Sequence, residues 1–275
     1  MADVAPLINW KAYLTAWSLP ATLSEAFSLP GDSESRRAWT EAQTSVDKAA
    51  QVLALADTTR QVLARIIDLD SHDMIRAVTS LNHCTLTPDD TLVIEAAAGN
   101  KSGATLPFLR RQSPDDLGSY TSVMDYLHAP GDTVGAFAVS VNIPADIAGD
   151  DDYHRLIVTL LSHRLAEAAS QYLHSQVAPS LWPGVERGIR PAIGYPSLPD
   201  QTLMHQLDNL LNMEEIGITV TSNGALEPSA SVAGLYIANP EARYTLLGPV
   251  GDDQLALYAD RRNLPLPTLR SILNR

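Results

Sequence analysis

Cysteine is almost absent from this sequence. Its one representative, Cys84 in 275 residues, excludes an internal disulfide and any zinc site built on several thiolates, and it reads as a small apolar residue. Positive charge is scarce as well: 19 Lys and Arg stand against 32 Asp and Glu, a formal net charge of −13 with a pI near 4.8. Such a chain is repelled by nucleic acid and by anionic membrane surfaces, so neither is an expected partner, and the acidic balance suits a cytoplasmic protein. No apolar run approaches the roughly 18 residues that span a bilayer, and the N-terminus lacks a basic stretch followed by an apolar one, so no export signal is expected. Repeats at periods of about 20 to 50 residues and long low-complexity tracts are missing too, which removes solenoids.

What is present is an ordinary core-forming composition, 45% hydrophobic and 19% charged. Residues 7–19 place Ile8, Tyr13, Leu14 and Trp17 on one helical face, and Pro20 closes that helix. From Ser35 to Leu69 apolar residues recur at helical spacing through Val52, Leu55, Val62 and Ile66, which predicts two helices or one broken one. Strands are expected at 91–98, 133–141, 216–220, 229–238 and 244–247, and short helices at 119–128 and 203–213. Two closing helices are expected, one over 252–261 and one starting at Pro267, just inside Leu266.

Two short patterns invite overreading. Asp70-Ser71-His72 begins like a cobalt-ligating Asp-x-His-x-x-Gly motif, but Ile75 stands where glycine is required, so it reads as a solvated turn. Gly99-Asn100-Lys101-Ser102 lacks the spacing of a phosphate loop and reads as a turn after the 91–98 strand. The longest helix is expected over 153–177, with Asp150, Asp151 and Asp152 at its positive N-terminal end and a core stripe from Leu156 to Leu173. Glu167 falls at the rim of that stripe, where it can pair with Arg164 or receive a ligand amine.

The run Arg190-Pro191-Ala192-Ile193-Gly194-Tyr195-Pro196, continuing to Thr202, is the least core-like part of the chain. Three prolines and a glycine in these residues predict a rigid loop whose backbone groups can face a ligand. A plain proline-rich connector would fit that composition too; the bracketing of the glycine by Arg190 and Tyr195 favours a binding loop.

In order and spacing, HRLAEAASQYLH (163–174), GIRPAIGYPSLPDQT (188–202) and SASVAGLYIANPEARY (229–244) resemble the C-terminal activation domain of cobalamin-dependent methionine synthase. INWKAYLTAWSL, LRRQ, VGAFAVS and the DDY ending at Tyr153 extend the resemblance over nearly the whole chain. The resemblance implies an α+β fold, a single C-shaped domain over 1–275 with a twisted antiparallel sheet surrounded by helices. It implies that S-adenosylmethionine is bound, with Arg190 on the ligand carboxylate, backbone groups of Ala192, Gly194 and Tyr195 at the adenosine, and Asn9, Glu167, Tyr244 and Thr245 completing the site. A guanidinium forms bidentate, charge-assisted bonds to a carboxylate, which suits Arg190 to that task. No catalytic side chain and no metal ligand is expected, because catalysis would consist of aiming the ligand's methyl group.

The sequence departs from the family pattern at three of its positions. Asn9 replaces an acid between Ile8 and Trp10, Gln201 replaces the usual histidine, and Thr245 stands where a second tyrosine is common. Loss of charge pairing at Asn9 predicts weaker S-adenosylmethionine binding, by about 1 to 2 kcal/mol in a partly desolvated site. The implied function is reductive remethylation of cob(II)alamin held by a separate corrinoid methionine synthase core, with a flavodoxin-like reductant supplying the electron. The alternative is a diverged, non-catalytic module that docks on a corrinoid protein or holds another small ligand. Met1 just before the INW block favours a stand-alone chain over an excised domain.

Overall fold

The computed structural model describes residues 1–69, 73–96, 102–127, 132–149, 151–181 and 188–273. The turns expected at 70–72 and 99–101, the helix stop at 129–131 and Asp150 of the acidic run lie outside the described residues. By internal packing the chain divides into two compact units, residues 1–75 with 141–172, and 76–140 with 173–275.

The first unit is helical. Helix α1 (Trp10–Ala16) is followed by a 3₁₀ segment, Ala21–Ser28, then α2 (Ser33–Glu41) and α3 (Val46–Leu69). The apolar periodicity of the N-terminal stretch is used as expected: Ile8, Tyr13 and Leu14 are buried. Trp10 stacks on Phe27 with ring centroids 4.2 Å apart, and the Tyr13 hydroxyl meets the buried Thr59 hydroxyl at 2.9 Å. Arg60 on α3 reaches the carbonyls of Ala26, Phe27 and Leu29 at 3.3 to 3.4 Å, satisfying the end of the 3₁₀ segment, while Asp57 holds its guanidinium at 2.6 Å. Helix α4 (Asp152–Leu181) belongs to this unit through residue 172. Asp151 caps it, its carboxylate accepting from the Tyr153 and His154 amides at 3.4 and 3.2 Å. Ile157, Leu161, Leu165 and Ala168 form its buried stripe, whereas Leu156 is exposed.

The second unit is built on a five-stranded sheet in the order β3-β2-β1-β4-β7. Its members are β1 (Ile75–Leu86), β2 (Thr91–Ile94), β3 (Ala104–Pro107), β4 (Asp132–Val141) and, at one edge, β7 (Ser231–Tyr236); β5 (Thr219–Val220) and β6 (Leu226–Glu227) form a separate ribbon. β1 with β2, β2 with β3 and β4 with β7 pair antiparallel, the last with Ala138 opposite Ala233. β4 is buried along nearly its whole length, which its small and β-branched residues permit. Helices α5 (Met204–Leu211), α6 (Asp252–Arg262) and α7 (Leu266–Leu273) complete the unit. Cys84 is buried, and burial pushes its thiol up to about 11, so it behaves as the apolar filler expected of it.

Several sequence expectations need correction. Residues 244–247 form no strand: Tyr244, Thr245 and Leu246 have no ladder partner, and the Leu247 amide finds only the Pro196 carbonyl, at 3.4 Å. The 119–128 helix is a single 3₁₀ turn, Val123–Tyr126, closed by a capping box between Ser122 and Asp125. β1 and β3 were not anticipated. β1 mixes polar Ser80, Asn82 and His83 into its sequence and is only partly buried, so it lacks a clean two-residue alternation.

Candidate functional site

The 190–202 loop is built onto the open edge of β7. The Ile189 and Ile237 amides and carbonyls exchange bonds of 3.0 and 2.9 Å, Leu235 donates to Pro191 at 3.0 Å, and Ile193 donates to Ala233 at 3.0 Å. The approach is so close that a Cβ on Gly234 would lie 2.3 Å from the Pro191 carbonyl oxygen. The chain then turns sharply. Gly194 takes a φ of +87°, which glycine alone adopts without strain, and its amide donates to the Leu198 carbonyl at 2.7 Å. Leu198 donates back to Tyr195 at 2.8 Å.

This pairing leaves particular groups unused. Since the Pro191 carbonyl and the Ile193 amide, on either side of Ala192, bond across to β7, the Ala192 N–H is turned away from the sheet. Among the described residues neither the Ala192 amide nor the Gly194 carbonyl has a hydrogen bond, and the Arg190 guanidinium has neither a hydrogen bond nor an ion pair. The Arg190 amide donates to the Tyr244 hydroxyl at 3.1 Å, which joins two of the expected site residues. The rings of Tyr195 and Tyr244 are exposed, 44% and 52%, while the neighbouring Thr245 is buried. Among the described residues, a guanidinium and an amide without hydrogen bonds therefore lie on the 190–195 segment together with the exposed Tyr195, and the exposed Tyr244 is bonded to it.

The floor near Arg190 contains groups to which the sequence reading gave no role. Tyr236 of β7 lies between Phe137 and His174, with ring centroids at 4.6 and 4.8 Å and both pairs nearly parallel. Burial, and then the charge of Arg190, lower His174 to about 4, so it is neutral near pH 7 and leaves Arg190 as the local cation. Both residues sit inside the sequence blocks that carry the family resemblance, which was the available signal.

The far end of the loop is fastened by Asp200, which is 1% exposed. Its Oδ1 accepts from the Thr202 amide at 3.0 Å and hydroxyl at 2.6 Å, and its Oδ2 accepts from the Tyr258 hydroxyl at 2.8 Å. Arg262 Nε lies 2.9 Å from the same Oδ2 as an ion pair, its N–H not aimed along the contact, and Arg262 Nη2 donates to the Thr202 hydroxyl at 2.8 Å. Beside the loop, a cleft of about 980 Å³ runs between Tyr195, Gln201, α5 and α7.

The remaining expected residues, Asn9 and Glu167, belong to the first unit. Asn9 is exposed and caps α1, its Oδ1 accepting from the Ala12 amide at 3.1 Å. Glu167 makes the pair with Arg164 that helical spacing allowed, at 3.0 Å. Among the described residues no group of three His, Cys, Asp or Glu side chains is set to hold a metal ion, and no helix is long and apolar enough to cross a membrane.

Comparison with known proteins agrees with this architecture. The family model for the activation domain of vitamin B12 dependent methionine synthase matches residues 1–263. A solved structure described as the MetH reactivation domain bound to AdoHcy is similar over 98% of this chain and 86% of that one, with a TM-score of 0.75 and 24% identity, a likeness of fold.

Proposed function

The chain belongs to the family of vitamin B12 dependent methionine synthase activation domains, and from that premise we propose that it binds S-adenosylmethionine along the 190–195 segment to support reductive remethylation of a corrinoid held by a partner methionine synthase core. The observation that carries this reading is that, among the described residues, the Arg190 guanidinium has no hydrogen bond or ion pair and, two residues on, the Ala192 amide has no hydrogen bond. Arg190 would take the ligand carboxylate in a bidentate, charge-assisted pair. The Ala192 amide and Gly194 carbonyl offer one donor and one acceptor to the adenosine, and Tyr195 and Tyr244 offer faces to the sulfonium, each worth about 0.5 to 2 kcal/mol. Asn9, Glu167 and Thr245 enter through the family resemblance.

When bound, the sulfonium supplies a methyl group and the partner's corrinoid supplies the metal that receives it. The chain's own residues hold and aim the donor, and no side chain has to move a proton. A flavodoxin-like protein is the proposed electron source, and the cytoplasm the proposed compartment. The second reading, a module that keeps the fold without using the methyl donor, draws on Asn9: its side chain is committed to capping α1 and offers no charge to a ligand ammonium.

Titration calorimetry with S-adenosylmethionine tests the proposal. Binding is expected in the wild type, and Arg190→Ala should weaken it by about tenfold or more. No heat at millimolar ligand would refute it, and an unaltered affinity in Arg190→Ala would place the site elsewhere.

A further inference from the structure

Among the described residues Asp200 is a buried carboxylate, yet it lies in a loop of modest length between the ligand segment and α5. All of its bonding capacity is directed at one task. Thr202 sits two residues on, but Tyr258 and Arg262 come from α6, nearly sixty residues later, so the carboxylate ties the end of the loop to a distant helix. Between the two ends the backbone is closely confined: a Cβ at Gly224 would lie 2.3 Å from the Gln201 carbonyl oxygen, and one at Gly194 would lie 3.7 Å from Gln201 Cγ. Besides its bonds to Tyr244 and Leu247, the loop thus has two attachments. The β7 edge holds residues 189–193, and the Asp200 cluster holds the return path through Gln201, which packs over Gly194.

We propose that Asp200, acting with Thr202, Tyr258 and Arg262, is the positioning residue of the ligand loop: the cluster fixes the 194–202 return so that the turn at Gly194 keeps the Ala192 amide and Gly194 carbonyl facing outward. Asp200 itself touches no ligand. Its effect on affinity rests on the S-adenosylmethionine reading above, whereas its effect on the loop does not. The carboxylate is required as an ion, because an amide cannot accept from Thr202 and Tyr258 and balance Arg262 at once.

The test therefore begins without ligand. Asp200→Asn is the direct variant, and Thr202→Val, isosteric but lacking the hydroxyl, serves if the first does not fold. In hydrogen exchange, the Gly194 and Leu198 amides of Thr202→Val should exchange about tenfold faster than in the wild type, as expected on losing one hydrogen bond to a charged group. The Val139 amide of β4 should stay unchanged, and Thr202→Ser, which keeps the hydroxyl, should restore wild-type rates. Unaltered loop amides, or an equal acceleration in β4, would overturn the proposal. Calorimetry with S-adenosylhomocysteine then reads the functional arm. Thr202→Val should weaken it about tenfold while Ile94→Ala, a core variant on β2 that lowers melting temperature, binds within about twofold of wild type. Equal losses in both would make the effect global and refute positioning; a wild type that does not bind would refute the S-adenosylmethionine reading and leave the exchange result to decide the cluster's role.

Discussion

Asn9 serves the fold as the cap of α1 and is also a proposed site residue. Asparagine and aspartate are about equally good helix N-caps, so the bond from Ala12 to Asn9 is as well served by the amide as by an acid. The departure from the family pattern therefore costs the fold nothing and changes only charge. Asn9→Asp is expected to move stability by less than about 0.5 kcal/mol in thermal melts. It should also tighten S-adenosylmethionine by about tenfold in calorimetry if the acid meets the ligand ammonium. His174 gives a second residue-level expectation. Its folded pKa of about 4 lies below the ordinary 6.5, so between those values the unfolded chain binds more protons than the folded one. Stability is thus complete above about pH 6.5 and declines as pH falls toward 4. His163 is lowered in the same direction, first by burial and then by Arg164. Melting temperatures across that window should fall, and His174→Phe should flatten the fall; an unchanged slope would show that His174 is not its source.

Among the elements, the packing of the 189–193 segment on β7 is the most exposed to a single change. Gly234→Ala puts a methyl group 2.3 Å from the Pro191 oxygen and 2.7 Å from Ala192 Cα, both backbone atoms with no freedom to swing aside. Overpacking of this kind costs about 1 to 3 kcal/mol. Denaturant melts should show that loss together with the disappearance of ligand binding. The elements also show what the residues alone could disclose. α1, α4, β4 and α7 were legible because their patterns are local, as with the Leu-Pro start of α7 at Leu266. β1 was not, since polar Ser80, Asn82 and His83 break its two-residue alternation and the strand is only partly buried. The 244–247 segment misled for the complementary reason: Tyr-Thr-Leu-Leu has strand propensity, but it joins no ladder. Arg190, Ala192 and Gly194 were proposed from composition and family pattern, while the contacts of Asp200 and Tyr236 depend on α6 and α4 and had no local signature.

For the molecule as a whole, the two compact units divide the work unevenly. The sheet, the 189–202 segment and its anchors lie in the second unit, while Asn9 and Glu167 lie in the first. β7 closes the five-stranded sheet on one side, and a terminal strand with open N–H and C=O groups is a template for another chain. Here the Leu235 amide and Ala233 carbonyl of β7 are taken by Pro191 and Ile193, and Ile237 just beyond β7 by Ile189. The segment proposed to recognise S-adenosylmethionine is thus also the guard against self-association: a change that lifts it from β7 would free a strand edge, and aggregation would accompany the lost affinity.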